Sequence, residues 1–453
     1  MRLLLVGLLA LGLALPVLAD DYSGKTLRLK KDALNLSRKL VIQGEVVAEQ
    51  KDLPKPNDKT GKPDAKDDWT GKSVLPKKRQ SEIRIGDWKD GKQVFWKAHN
   101  LLNCTVREDR DGFLRVYDGH REGWVSKADF ATAEDAVVFW DKAVKANAKD
   151  SYALNMRGAC WMEIGEYDNA IKDYTEYIRI KPNEAEIYNM RGIAWTFKEN
   201  YDEAIADYTE AIRLDPKYDL TYINRAHAWD EKQEYRKAVA DYTEAIRLDP
   251  KHTIAYTNRG FIKAKENDYD HAIADLNEAI RLDPSNATAH YYRGIVWAKQ
   301  KEYSKAIVDY TNSIRIYSQR ANVYYYRGIA WAGKNEYHKA IADYAEAIRI
   351  EPKHVPSLNS LAWLKATCPD AKFRDGKQAV ELAKKVIAVD SSWHCFDTLA
   401  AAYAENGDFE LAVTEQRKAI EKLKVENPPD AEELKKAEAR LALYLAKKPY
   451  RDE

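Results

Sequence analysis

The sequence predicts a mainly-α fold: a solenoid of stacked helix pairs, preceded by a small all-β domain. Three observations predict it. Prolines fall at Pro182, Pro216, Pro250, Pro284 and Pro352, at successive intervals of 34, 34, 34 and 68 residues, with Ser318 in the skipped slot. A strict period of that length marks a solenoid built from one repeated supersecondary unit. Within each period, apolar residues recur at spacings of three and four in two runs, one face of each of two helices. Ahead of the repeats, from Trp69 to Phe130, the pattern shortens to alternating runs broken by glycine turns, the signature of strands.

Taken in order, the chain opens with Arg2 and an apolar run from Leu3 to Leu15, then Pro16-Val17-Leu18-Ala19-Asp20. This reads as a signal peptide (1–19) cleaved after Ala19, with a retained N-terminal anchor as the alternative. The run is too short for a membrane span, and nothing later is apolar enough to be one. Periplasmic or secreted localisation is therefore expected. Residues 20–68 combine a partly strand-like stretch (Thr26 to Leu29, Leu40 to Ala48) with a linker, Lys51 to Asp68, made almost wholly of Lys, Asp, Pro, Gly and Asn. The linker has too few apolar residues to build a core.

Residues 69–131 read as a small barrel. Ile83 and Ile85 alternate with polar residues, Val94-Phe95-Trp96 and Thr105-Val106 are short strands, and Phe113 to Tyr117 runs through Asp118-Gly119 into Gly123-Trp124-Val125, a hairpin with suitable turn chemistry. This part resembles bacterial SH3-like domains, whose last hairpin carries the same Gly-Trp-Val ending. The resemblance implies peptide or cell-wall binding. Trp88, Trp96, Tyr117 and Trp124 either line such a site or form the core. Residues 132–150 read as a lone packing helix, with Ala136, Trp140 and Ala143 on one face.

Six full units are expected over 151–352. In the unit from Ala185 to Pro216, Ile187, Tyr188, Arg191, Gly192 and Trp195 lie on one helical face, Asn200-Tyr201-Asp202 breaks the pattern, and Ala204, Ile205, Tyr208, Ala211 and Ile212 resume it. Asp215-Pro216 stops the second helix, since the residue before proline disfavours helical geometry. Glycine or alanine recurs at Gly158, Gly192, Ala226, Gly260, Gly294 and Gly328, a slot that implies close helix approach. The positions Tyr188, Gly192, Trp195, Ala204, Tyr208, Ala211 and Pro216 resemble the tetratricopeptide repeat, and the register persists through all six units. Departures are local: Lys263 replaces Trp, Tyr177 and Ser313 replace alanine, and Ser318 replaces proline. The resemblance implies a right-handed tetratricopeptide (TPR) α-solenoid whose first helices line a concave groove.

Two divergent units follow over 353–424, the first with a lengthened turn from Cys368 to Gly376 that is either a spacer or a recognition loop. A charged capping helix fills 425–453, as terminal repeats need a polar cover.

Two charged columns run through the array: Arg157, Arg191, Arg225, Arg259, Arg293 and Arg327, and, always 16 residues on, Asp173, Asp207, Asp241, Asp275, Asp309 and Asp343. Equal numbers and a locked offset favour ion pairs tying helices together over a basic ladder for an anionic ligand. Loss of Arg2 leaves 72 basic against 72 acidic side chains, which argues against a nucleic-acid partner. The four cysteines, Cys104, Cys160, Cys368 and Cys395, are either small buried thiols or include one disulfide, with Cys368 and Cys395 the favoured couple. No CxxC or Cys/His spacing suggests a metal, no Gly-rich phosphate loop is present, and no cofactor is expected. His227 lies one helical turn from Asp230, with no Ser or Cys nucleophile to complete a catalytic group.

The function expected is that of a non-catalytic protein- or peptide-binding scaffold. The resemblance assigns the groove to Asn155, Asn189, Ile193, His227, Asp230, Phe261, Tyr291, Ile295, Tyr325 and Ile329, with the SH3-like domain as a second module. The alternatives are a peptidoglycan binder acting through that domain, and an accessory enzyme sited between Lys51 and Phe130.

Overall fold

The computed structural model describes the backbone of seven strands between Ser73 and Thr132, then the chain from Ala133 to Val425 and from Ala431 to Asp452, with side chains from Asp135 onward. Residues 1–68, with the expected signal peptide, and the side chains Trp88, Trp96, Cys104, Tyr117 and Trp124 lie outside the described residues. The chain divides into two compact units, Met1–Ile262 and Lys263–Glu453.

The first unit begins with strands β1 (Ser73–Pro76), β2 (Arg84–Lys89), β3 (Lys92–Lys97), β4 (Cys104–Arg110), β5 (Phe113–Tyr117), β6 (Glu122–Ser126) and β7 (Phe130–Thr132). They form one sheet in the order β3-β2-β6-β5-β4-β1-β7. Its pairings are antiparallel, and β4 is bulged between Val106 and Glu108. The pairings establish a sheet; they do not show an SH3-like barrel. Helix α1 (Ala133–Ala146) packs on β1, β7 and the next helix, burying Ala136 and Trp140.

Helix pairs then follow: α2 (Ser151–Ile164) with α3 (Tyr167–Ile180), α4 (Ala185–Phe197) with α5 (Tyr201–Leu214), and α6 (Asp219–Glu231) with α7 (Tyr235–Leu248). The two-unit boundary falls inside α8 (Thr253–Lys265). Each pair buries the face that the spacing marks, as in the cluster of Ala170, Tyr174, Ile187, Ile193, Ala204 and Tyr208. The turn between paired helices needs one left-handed residue. Gly165 fills it at φ 83°, Glu199 at 62° and Gln233 at 59°.

The recurring glycine has a packing cause. A Cβ at Gly192 would stand 2.6 Å from the ring of Tyr208, and one at Gly158 would stand 2.7 Å from that of Tyr174. That contact offsets the roughly 1 kcal/mol that glycine costs a helix. Ala226 occupies the slot over Tyr242, both buried.

The second unit holds α9 (Tyr269–Leu282), α10 (Ala287–Lys299) with α11 (Tyr303–Ile316), α12 (Ala321–Ala332) with α13 (Tyr337–Ile350), α14 (Val355–Thr367) with α15 (Gly376–Ile387), α16 (Trp393–Asn406) with α17 (Phe409–Lys424), and α18 (Ala431–Leu445), which packs on α17. Eighteen helices are thus described, and the fold is a mainly-α solenoid. No described helix is long and apolar enough to cross a membrane. The lengthened turn after α14 is pinned: Arg374 Nη1 donates to the carbonyls of Cys368 and Pro369, its Nε donates to Glu405, and Phe373 packs against Tyr337. Gly376 is required because a Cβ there would lie 2.6 Å from the backbone nitrogen of Asn406.

The charged columns are ion pairs. Arg191 grips Asp207 with Nε (2.8 Å) and Nη2 (2.7 Å), while Nη1 donates to Thr175 of the preceding repeat (3.0 Å). Arg225 does the same with Asp241 and Thr209, and Arg327 with Asp343 and Thr311. In these three repeats the guanidinium therefore links both helices of its own repeat and also reaches back one repeat. Burial pushes the Asp173 and Asp207 carboxyls upward, against the pull of their arginines. Removing one member of such a pair leaves an uncompensated buried charge, costing about 3–5 kcal/mol. Two departures in sequence also find their cause. Trp161 hydrogen-bonds Asp173, and Lys263, at the equivalent position, meets Asp275 at 3.2 Å, so the buried carboxylate keeps a donor. Ser313 donates to the carbonyl of Ala287.

Candidate functional site

Fifth and ninth residues of the first helices, together with Asp230, the twelfth of its helix, carry the expected groove, and the structure divides them. In the first unit, Asn155 is half-buried and Asn189 buried, its Oδ1 accepting from Asn224 at 3.0 Å. Ile193 and Phe261 are core. His227 and Asp230 are half-buried, and His227 Nε2 faces Glu231 at 3.5 Å. In the second unit, Ile295, Tyr325 and Ile329 are half-buried, whereas Tyr291 is only 2% exposed. Tyr291 sits in an aromatic cluster with Tyr292, Tyr310 and Tyr326, and burial pushes its hydroxyl well above the usual range. Asn189, Ile193 and Phe261 in the first unit, and Tyr291 in the second, therefore offer a ligand little surface.

The open site in the second unit lies further along the same slots. A cleft of about 590 Å³ is walled by α12, α14, α16 and α18. Ile329 lines it from α12, Asn359 and Trp363 from α14, Asp397 from α16, and Arg440 from α18. Asn359 is the fifth residue of its helix and Trp363 the ninth. They stand 34 residues beyond Tyr325 and Ile329. Extending those slots by one period finds both; the lengthened turn at Cys368 obscured the period.

The cleft mixes apolar surface with fixed polar groups. Arg440 Nε donates to buried Asp397 (2.8 Å), as does Gln416 (2.7 Å). Asn359 Oδ1 is buried without a hydrogen-bond partner. A short segment of the chain itself lies against one side. The backbone N–H of Asp452 donates to the carbonyl of Thr367 (3.0 Å), and the indole of Trp363 donates to the Asp452 carboxylate (2.8 Å). Tyr450 packs at 5.9 Å from Trp363, the Arg440 guanidinium lies over both rings, and Arg451 pairs with Glu405. The site can thus hold a peptide by backbone hydrogen bonding, an aromatic contact and a carboxylate contact together.

Cys368 and Cys395 are free, as is Cys160, so the disulfide weighed from sequence does not form. They pack in different clusters, Cys368 with Tyr344 and Leu361, Cys395 with Val355 and Val386.

Comparison with known proteins agrees with this architecture. Five family models described as tetratricopeptide or TPR repeats match residues 129–185, 185–218, 221–252, 262–301 and 321–354, so the chain carries tetratricopeptide repeats. No curated protein matches the sequence. Similar solved structures include YrrB, described as a TPR protein with an unusual peptide-binding site, at 21% identity and TM-score 0.35, covering 41% of this chain and 96% of that one. The MamA protein matches at 26% identity and TM-score 0.34, over 37% and 92% of the two chains. PilF of Pseudomonas aeruginosa matches at 16% identity and TM-score 0.42, over 48% and 99%.

Proposed function

We propose that this chain of tetratricopeptide repeats is a non-catalytic scaffold that binds a peptide segment of a partner protein, with the cleft of α12, α14, α16 and α18 as its principal site. One observation carries the reading: the cleft already engages residues 450–452 through backbone, aromatic and carboxylate contacts at once. Main-chain hydrogen bonds supply affinity to an irregular peptide, and side-chain contacts supply selectivity. The Trp363 indole and the Asn359 carbonyl select for an acidic group and a donor, respectively. The half-buried groove positions Asn155, His227, Asp230, Ile295, Tyr325 and Ile329 provide further contacts. The expected SH3-like domain would act as a second module, and the apolar run ending at Ala19 points to a periplasmic or secreted site of action.

The test is selection of peptides from a random library on the full chain, followed by anisotropy titration of the winners against Trp363→Ala and Asn359→Ala chains. Enriched peptides pairing an aromatic with an acidic residue, at least tenfold weaker on Trp363→Ala, support the reading. Peptides that bind wild type and variants alike remove the cleft from it. Binding to purified cell-wall sacculi alone, unchanged by both substitutions, moves the function to the N-terminal domain.

A further inference from the structure

We propose that Asp390, His394 and Cys395 form a binding site for a divalent transition metal of the zinc type. The site is separate from the peptide cleft, though His394 borders both. The three side chains come from one short stretch folded at a helix start. Asp390 lies in the turn after α15, Ser392 is the N-cap of α16, and His394 and Cys395 belong to its first turn. That geometry brings a carboxylate oxygen, an imidazole nitrogen and a thiol sulfur to within 4.8 Å of one another. The backbone N–H of Ser392 donates to Asp390 Oδ1 (2.8 Å) and so fixes the carboxylate. Ser392 Oγ stands 3.1 Å from His394 Nε2 and 3.3 Å from Cys395 Sγ, in reach of the same centre.

Thiolate, imidazole and carboxylate together are the donor set that zinc takes, and three protein ligands leave a fourth position for water or the Ser392 hydroxyl. Metal–ligand bonds of about 2.0–2.3 Å require the group to contract by roughly 1 Å, which the half-exposed His394 side chain allows. Cys395 is fully buried against Val355, Leu358 and Val386, so the sulfur forms the dry floor of the site and His394 its open edge. Burial pushes the Cys395 thiol up to about 12. On binding, the ion displaces the thiol proton to solvent, and the new thiolate and the Asp390 carboxylate together balance the two positive charges.

A hydrolytic reading of the same residues fails on geometry. Ser392 and Asp390 both approach His394 through Nε2, at 3.1 and 3.9 Å. A Ser-His-Asp relay needs the acid on the opposite ring nitrogen.

The test titrates the metal-free full chain with cobalt(II), reading the near-ultraviolet thiolate-to-cobalt band and the protons released. We expect one cobalt per chain, displaced by zinc, with the band lost in Cys395→Ser and kept in Cys368→Ser. His394→Gln, at an exposed position that does not threaten folding, should weaken binding at least tenfold. The absence of a saturable band, a band that survives Cys395→Ser, or unchanged affinity in His394→Gln would overturn the proposal.

Discussion

His354 should make α14 sensitive to acid, and replacing it with asparagine should remove that sensitivity. The residue is the N-cap of α14 and is 6% exposed. Its Nδ1 accepts from the Ser357 backbone N–H (3.3 Å) and lies 2.7 Å from the Ser357 hydroxyl, while Nε2 lies 2.6 Å from Asn322 Oδ1. This arrangement requires the proton on Nε2 and a bare Nδ1. Protonating Nδ1 would set two donors against each other inside the protein. Burial accordingly pulls the imidazole down from 6.5 to about 4. The unfolded chain therefore takes up a proton first as pH falls, so this share of stability is full above about pH 6.5 and is lost between there and about pH 4. Two and a half pH units correspond to about 3 kcal/mol. The array supplies its own control: Asn286, two periods earlier, caps α10 by accepting from Ala289 (2.9 Å) and does not titrate. In His354→Asn the cap survives and the acid loss should vanish. Repeat arrays open locally rather than all at once, so the readout is amide exchange of α14 at pH 7 and pH 4. The variant should lie within about 1 kcal/mol of wild type at pH 7 and be more protected by roughly 2–3 kcal/mol at pH 4. An equal difference at both pH values would refute the reasoning.

Two further substitutions test the packing. Gly294→Ala would set a Cβ 2.6 Å from the ring of Tyr310; overpacking of about 1–3 kcal/mol should outweigh the roughly 1 kcal/mol gained in helix propensity, and a raised melting temperature would contradict the close contact. Glu199→Gly relieves a left-handed residue at φ 62°, in the slot that Gly165 and Gly407 fill elsewhere. It should stabilise the chain by up to about 1 kcal/mol in urea titration, and a lower midpoint would count against strain at that turn.

The repeat was legible because each unit restates the same local rules: small residue against ring, left-handed turn, helix stop. The Arg and Asp columns were legible as ion pairs from their offset alone. Their reach to Thr175 and Thr209 was not, because hydroxyls leave no charge pattern to follow. The candidate cleft was missed for a different reason. Asn359 and Trp363 keep their slots, but the pinned turn through Arg374 lengthens the repeat just beyond them and hides the register. The Tyr450–Asp452 contact links residues more than eighty positions apart, from Trp363 to Asp452, and no periodicity encodes it. The Asp390, His394 and Cys395 group escaped because metal spacing is usually sought between two chelating pairs, whereas here the turn into one helix gathers all three ligands.

The backward reach of each arginine has a consequence for how such a chain can change length. Excising residues 185–218, one whole period, would bring Arg225 opposite Thr175, the hydroxyl that Arg191 now holds, while its own Asp241 stays in place. Removing one residue more or fewer would turn Arg225 away from Thr175 at the new junction, whereas later guanidiniums, 16 residues from partners on their own side of the cut, would keep them. Growth and loss by duplication or recombination are therefore quantised: a copied period arrives with its donor and its acceptor already matched to the neighbours on either side.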